Sequence, residues 1–404
     1  MTTSAAPQQQ PSATSATQDF IPLLDSLGPV RWSPLIVGED QSQKFTQIID
    51  SLRRPPSPDG TSKRLASGSS YWGVESTMAW MQACNDPYYP VMREGIDSFR
   101  SRYATLARAL SDTPYHYFSL GPGTGEKDNA VLRHLARIRP AYAVRYVPVD
   151  ISSEMLRQGL KAALKDMRIP VRDTLPLQLD FSTVTNLTGL RQVADQLAAD
   201  TPVLYSLLGN TLANFDNDAT LLTNMASILL RPQDRFLLEV AVADRIDQAA
   251  ADTAAAEYRN SVGFYNFVTS AIMHYTDLQI VPESVEFHGE VEDGKALNLR
   301  IVYRNETGQT LRPLLPNRTT FDFPHNDTIC LLTTRKYLPS SLDKLIADAG
   351  LRILQSREVL HPGEDVTGER LETGQKLLLL ARSPNGARSP GQSQVTGLNP
   401  FRRD

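Results

Sequence analysis

Between Tyr115 and Ala243, short apolar runs alternate with stretches in which apolar residues recur every three or four positions. The runs are Tyr115–Leu120, Val144–Val149, Leu175–Leu179, Val203–Leu208 and Phe236–Ala243, and each has the length and flanks of a buried strand. The stretches between them read as helices. One carries Ala130, Val131, Leu132, Leu135 and Ile138. The next, over 153–166, carries Met155, Leu156, Leu160 and Leu164, and two more cover 188–199 and 218–230. Strands alternating with helices in this way predict an α/β fold with a parallel, Rossmann-like sheet. Ligands of such sheets sit outside the carboxyl ends of the strands.

The pattern changes on both sides. Before the alternation, a helix is predicted over 40–53 with Phe45, Ile48, Ile49 and Leu52 on one face, then a Pro-, Ser- and Arg-rich loop from Arg53 to Arg64. Tyr71-Trp72-Gly73, a helical segment through Met78, Trp80 and Met81, and Asp86-Pro87-Tyr88-Tyr89-Pro90 form a dense aromatic piece, either core or a lid over a small ligand. A helix over 91–110 follows. After Ala243 comes a long helical stretch over 245–273, then strand-like runs at Leu278–Val281, Val285–Phe287, Leu297–Val302 and Thr319–Phe323. A strand over Thr328–Tyr337, a helix over 340–349 and strands near 351–359 and 376–382 close the sheet. The expected organisation is a nucleotide-binding domain from 106–244 and 326–383. A second α+β domain is built over it from 20–105 and the insertion 245–325. Tails at 1–18 and 384–404 are too polar to offset ordering entropy.

Composition narrows the function. The chain has 404 residues with 41% hydrophobic and 21% charged, an ordinary globular balance. A net charge of −4 offers no basic surface for nucleic acid or anionic lipid. Neither a membrane span nor a secretory leader is evident, and the two cysteines, Cys84 and Cys330, match no disulfide framework or metal spacing. No histidine pair has metal-like spacing. A cytoplasmic protein, monomeric or weakly self-associating, is expected.

The chemistry gathers at the strand ends. Leu120 runs into Gly121, Gly123 and Gly125, which let a ligand lie against bare backbone beside a helix N-terminus. A glycine-rich turn is also a common tight connection, but the next strand ends in Asp150, placed to accept hydrogen bonds from a ribose diol. The glycine spacing is not G-x-G-x-x-G, which disfavours a dinucleotide. Asp180 and Asn214 lie at two further strand ends, where the plain alternative for each is a helix cap.

These motifs resemble the histidine-specific, S-adenosylmethionine-dependent N-methyltransferases of ergothioneine biosynthesis. The resemblance runs through Leu120-Gly121-Pro122-Gly123-Thr124-Gly125-Glu126-Lys127, Pro148-Val149-Asp150-Ile151-Ser152, Asp180-Phe181 and Leu208-Gly209-Asn210-Thr211-Leu212-Ala213-Asn214-Phe215. It includes Tyr88-Tyr89-Pro90 and Tyr71, and covers most of 65–340. It implies a class I methyltransferase sheet and the cofactor S-adenosyl-L-methionine, released as S-adenosyl-L-homocysteine. Gly121, Gly123, Lys127, Asp150, Asp180 and Phe181 would hold the cofactor, with Tyr71 closing over it. Tyr88, Asn214 and Tyr258 would line an amino-acid pocket, Tyr258 through Glu257-Tyr258-Arg259-Asn260.

One departure bears on the substrate. The family carries an acid and, two residues on, a serine before a Lys-aromatic pair. Here the pair is Lys336-Tyr337, the serine position is Thr334 and the acid position is Leu332. In the histidine enzymes that acid binds the imidazole. An imidazole N–H left unpaired beside Leu332 costs about 1–3 kcal/mol. The expected acceptor is the amino group of a more apolar or aromatic amino acid, or of an amine built from one. Tyr88 and Tyr258 are the expected catalytic hydroxyls, accepting a hydrogen bond from the amine. The competing readings are transfer of the aminocarboxypropyl arm on the same scaffold, and a cofactor-binding regulatory protein without turnover. No metal is expected.

Overall fold

In a computed structural model, the structure describes residues 36–37, 42–56, 62–89, 95–110, 113–138, 144–167, 169 and 173–384. The two polar tails (apart from Pro384), Pro90 and the start of the expected 91–110 helix lie outside them.

The strands form where the apolar runs predicted them. They are β3 (His116–Leu120), β4 (Tyr146–Asp150), β5 (Leu177–Gln178), β6 (Val203–Leu207) and β7 (Arg235–Ala243). They pair in parallel in the order β5-β4-β3-β6-β7. A short strand β1 (Ile36–Val37) extends the β5 edge. Beyond β7 the hairpin of β12 (Arg370–Arg382) and β11 (Leu351–Glu364) continues the sheet, β12 running antiparallel to β7. This is the expected Rossmann-like sheet with its antiparallel end. The hairpin runs well past the predicted strands, because its outer half, from Val359 to Thr373, is charged and carries little apolar signal.

Period-two alternation splits the strands' side chains into two cores. Phe118, Leu120, Val147, Val149, Tyr205, Leu207, Leu238 and Leu380 face α6 (Val184–Ala198), α7 (Asp218–Asn224) and α10 (Pro339–Asp348). Tyr117, Tyr146, Leu204, Leu237, Leu377 and Leu379 face α3 (Gly95–Ala107), α4 (Glu126–Ile138) and α5 (Ser153–Ala163). Helices therefore cover both faces, and the strand tips carry the loops.

A third core lies beyond those tips. It joins α1 (Ser42–Leu52), α2 (Val74–Cys84), α8 (Gln248–Arg259), α9 (Val262–Tyr275) and the antiparallel strands β8 (Val285–Glu292), β9 (Ala296–Arg304) and β10 (Thr328–Tyr337). β2 (Lys63–Arg64) pairs with β10. β10 pairs with β7 at Tyr337 and Val242, and with β9 along its length.

Four expectations are corrected here. The helix expected over 245–273 is two, broken at Asn260-Ser261. Ser261 caps α9 by accepting the Phe264 N–H at 3.0 Å, and the Asp86 carboxylate accepts the Ser261 hydroxyl and the Gly263 N–H, both at 2.8 Å. Leu278–Val281 forms no strand, and Thr319–Phe323 makes only isolated bridges. The helix expected from residue 188 starts at Val184, because Thr183 caps it.

Candidate active site

The glycine turn is fixed by its backbone. Gly121, Gly123 and Gly125 all have φ in the left-handed region, at 70°, 56° and 80°. At Gly125 a Cβ would lie 2.0 Å from the carbonyl oxygen of Gly159 on α5. Only glycine lets α4 start this close to α5. Trp80 lies against Gly123, its ring 3.1 Å from where a Cβ would stand.

Each strand tip adds a carboxylate. Asp150 accepts the Ser152 N–H at 2.9 Å, and burial pushes its carboxyl up to about 7. Asp180 accepts the Ser182 N–H at 2.9 Å, the Ser182 hydroxyl at 2.6 Å and Lys44 Nζ at 2.8 Å. Burial raises the Asp180 carboxyl, but Lys44 and these donors more than offset it and hold it below the usual range. Asp128, under the glycine turn, accepts three hydroxyls, from Tyr117, Ser119 and Tyr146, and burial pushes it up to about 6.

Lys127 does not face the cavity alone. It pairs with Glu239, a buried acid in the middle of β7, which also accepts from Arg102 at 3.0 Å and from the Gly209 N–H at 2.9 Å. Burial raises the Glu239 carboxyl, but Lys127 and Arg102 pull it below the ordinary carboxylate range. Lys127 lies between this acid and the Asp128 carboxylate, whose charge it also offsets. Sequence reasoning missed Glu239, although a single acid inside the apolar run Phe236–Ala243 was a signal.

Asn210 is held with φ at 67° where β10 splays from β7. Its Oδ1 accepts the Ala241 N–H at 2.8 Å, and its Nδ2 donates to Thr334 Oγ1 and the Arg335 carbonyl, both at 3.2 Å. This residue joins the two branches of the sheet at the cavity wall.

The glycine turn, Asp128, Asp150, Asp180, Lys127 and Asn210 open on one cavity of about 420 Å³. Tyr71, Gly121, Gly123, Lys127, Asp150, Asp180, Phe181, Asn214, Tyr258, Leu332 and Thr334 line it. Tyr88 does not: it is 64% exposed, whereas Tyr89 is 8% exposed and lines the cavity. The turn at Asp86, whose Oδ1 accepts the Tyr88 N–H at 2.9 Å, points the second tyrosine inward. A repeated Tyr-Tyr pair gives no sequence signal for which one that is. Tyr89 stacks on Phe264 at 5.3 Å and meets Tyr258 edge-on at 6.1 Å. Tyr71 meets Trp80 at 6.3 Å and Phe267 at 5.0 Å, and its hydroxyl accepts from Asn214 at 3.0 Å. Burial raises the Tyr71 and Tyr89 hydroxyls far above neutrality, so both stay protonated. Burial also pushes the Cys84 thiol up to about 12, so no thiolate nucleophile stands beside the site.

The model of the family described as histidine-specific, SAM-dependent methyltransferases matches residues 46–358, more than half of the chain. The chain belongs to this family. It is a SAM-dependent methyltransferase, and S-adenosyl-L-methionine is its cofactor. No curated protein matches its sequence significantly. Solved structures similar to this family member include the CcbJ methyltransferase of Streptomyces caelestis, 16% identical over 85% of this chain and 100% of that one, with a TM-score of 0.30. A SAM-dependent methyltransferase of Anabaena variabilis is 14% identical over 77% and 96%, with a TM-score of 0.37. The glycopeptide N-methyltransferase MtfA with sinefungin is 14% identical over 69% and 85%, with a TM-score of 0.31. Likeness at these TM-scores adds nothing to the fold already described. No helix among the described residues is long and apolar enough to cross a membrane.

Proposed function

We propose that this methyltransferase acts on the amino nitrogen of an amino acid, or of a small amine derived from one, and that histidine is not its acceptor. The observation that carries the reading is the cavity's far end. Tyr89, Tyr258 and Phe264 gather there, and Leu332, 3% exposed, lines the same cavity at the position that the resemblance aligns with the family's imidazole-binding acid.

The cofactor end fits S-adenosylmethionine. The Gly121–Gly125 turn offers bare backbone, Asp150 an acceptor for the ribose hydroxyls, Asp180 and Phe181 a polar edge and a ring for adenine. Lys127, which lines the cavity, offers a counter-ion for the carboxylate of the methionine arm. When bound, the cofactor supplies the activated methyl group. The remaining work falls to the acceptor end: to hold a neutral nitrogen lone pair about 3 Å from that methyl carbon, in line with the leaving sulfur. Tyr89, Tyr258, Phe264 and Leu332 carry no formal charge. Burial among them disfavours an ammonium, so the acceptor enters as the neutral amine and leaves its proton with bulk water. A phenol oxygen of Tyr89 or Tyr258 accepts one remaining N–H and leaves the lone pair aimed at the methyl group.

The test is methyl transfer from labelled S-adenosylmethionine to L-histidine, L-tryptophan, L-tyrosine and L-phenylalanine. The wild type is expected to prefer an aromatic acceptor to histidine. Leu332→Glu restores a partner for an imidazole N–H, worth about 1.5–3 kcal/mol, and is expected to move the histidine-to-tryptophan ratio of kcat/KM by about ten- to a hundredfold. A wild type that prefers histidine overturns the reading.

A further inference from the structure

Helix α1 lies outside the nucleotide-binding sheet, yet it forms a wall of the cofactor cavity. Lys44 and Gln47, nearly one turn apart, both line the cavity. Lys44 is 5% exposed and its ammonium reaches the Oδ2 atom of Asp180 at 2.8 Å. The Oδ1 atom of Asp180 is held by the Ser182 N–H and hydroxyl. The carboxylate is thus gripped on both oxygens, with Lys44 on the oxygen that the strand tip and its turn leave unbonded. The other face of α1 is seated in apolar contacts. Ile48, Ile49 and Leu52 are buried in the third core, and the Phe45 ring meets Trp72 at 4.9 Å and Tyr275 at 5.8 Å. An ammonium this buried is tolerated because its counter-charge is there to meet it. The seating of α1 and the orientation of Asp180 therefore depend on one another.

We propose that Lys44 is a positioning residue of the cofactor site: it fixes Asp180 as the acceptor for the adenine amino group, and so couples S-adenosylmethionine binding to the seating of helix 42–52. The inference rests on Asp180 being the acid that faces adenine. Coupling of this kind is reciprocal: whatever factor the seated helix adds to cofactor affinity, bound cofactor adds to the seating of the helix.

The experiment needs no acceptor. S-adenosylhomocysteine and its inosine analogue, which carries a carbonyl in place of the adenine amino group, are titrated calorimetrically into the full chain. Hydrogen exchange of peptides from 42–52 is followed with and without S-adenosylhomocysteine. In the wild type, the adenine compound is expected to bind tighter than the inosine one and to slow exchange over 42–52. Lys44→Met is expected to weaken S-adenosylhomocysteine by about tenfold, the scale of one charged hydrogen bond. It should also narrow the adenine-over-inosine preference and remove the protection of 42–52, and Lys44→Arg should restore most of all three. A merely structural lysine would lower affinity for both compounds alike. An unchanged preference in Lys44→Met overturns the inference while leaving Asp180 in its role. Equal binding of the two compounds by the wild type removes the role of Asp180 and the inference with it. Should Lys44→Met not fold, wild-type exchange decides alone: protection over 42–52 that does not change with S-adenosylhomocysteine overturns the coupling.

Discussion

The two ends of the cavity solve different problems with different materials. At the cofactor end the groups are ionic: Asp150 ends β4, Asp180 follows β5, and Lys127 on the first turn of α4 is held by Glu239 from the middle of β7. Every one of these carboxylates has N–H, hydroxyl or cationic donors that fix its direction. At the other end the walls carry no charge pair: the rings of Tyr89, Tyr258 and Phe264 stand with Leu332, Thr334 and Asn214, brought from segments far apart in the chain. On the function proposed above, the first end would recognise a fixed ligand by charge and hydrogen bonds, and the second would select its acceptor chiefly by shape.

The largest effect expected from breaking this division is at the glycine turn. Gly125→Ala places a Cβ against the Gly159 carbonyl and forces an L side chain into φ of 80°. The strained backbone alone costs about 1–3 kcal/mol, before the clash. Loss of S-adenosylhomocysteine binding by calorimetry, with a lowered Tm, is the expected result, and a variant that binds normally would show that the turn has slack.

A smaller effect sharpens the acceptor end. Tyr89→Phe removes a hydroxyl from the cavity and is expected to lower kcat/KM for the amine by about tenfold, one hydrogen bond's worth, with cofactor affinity unchanged. Tyr88→Phe, at an exposed ring, is expected to stay within about twofold. The reverse order of the two would return Tyr88 to the site.

An effect graded by pH belongs to Asp150. Its carboxyl, raised by burial to about 7, is largely protonated below that pH. Accepting ribose hydroxyls favours the ionised form, so binding releases a proton, and affinity rises with pH up to about 7. Below pH 7, S-adenosylhomocysteine should weaken by at most about tenfold per unit, and Asp150→Asn should flatten the profile. A wild-type affinity that is level from pH 5 to 8 would exclude this group from the ligand.

How much was readable in advance follows the same line. The order of the strands, the glycine turn and the acids after them are local: a run of apolar residues, then the residue that follows it. Asp150 and Asp180 could be named because a strand's end is a position in the sequence. Lys44 could not, because nothing in Ser42–Leu52 says which acid its lysine will meet. Nor could Glu239 be matched to Arg102, 137 residues earlier in the chain. The break at Ser261 was visible as Asn-Ser-Val-Gly but was outweighed by the apolar periodicity around it.

The sequence by itself determined the α/β sheet and the cofactor family, since these depend on periodicity and on motifs that are contiguous. Tertiary structure alone decided which tyrosine of Tyr88-Tyr89 enters the cavity, that Lys127 meets Glu239, and that helix 42–52 forms a wall of the cavity. Each of those depends on a direction in space, set by an Asp86 turn, a buried ion pair or a packed ring, and a direction is fixed only when distant segments meet.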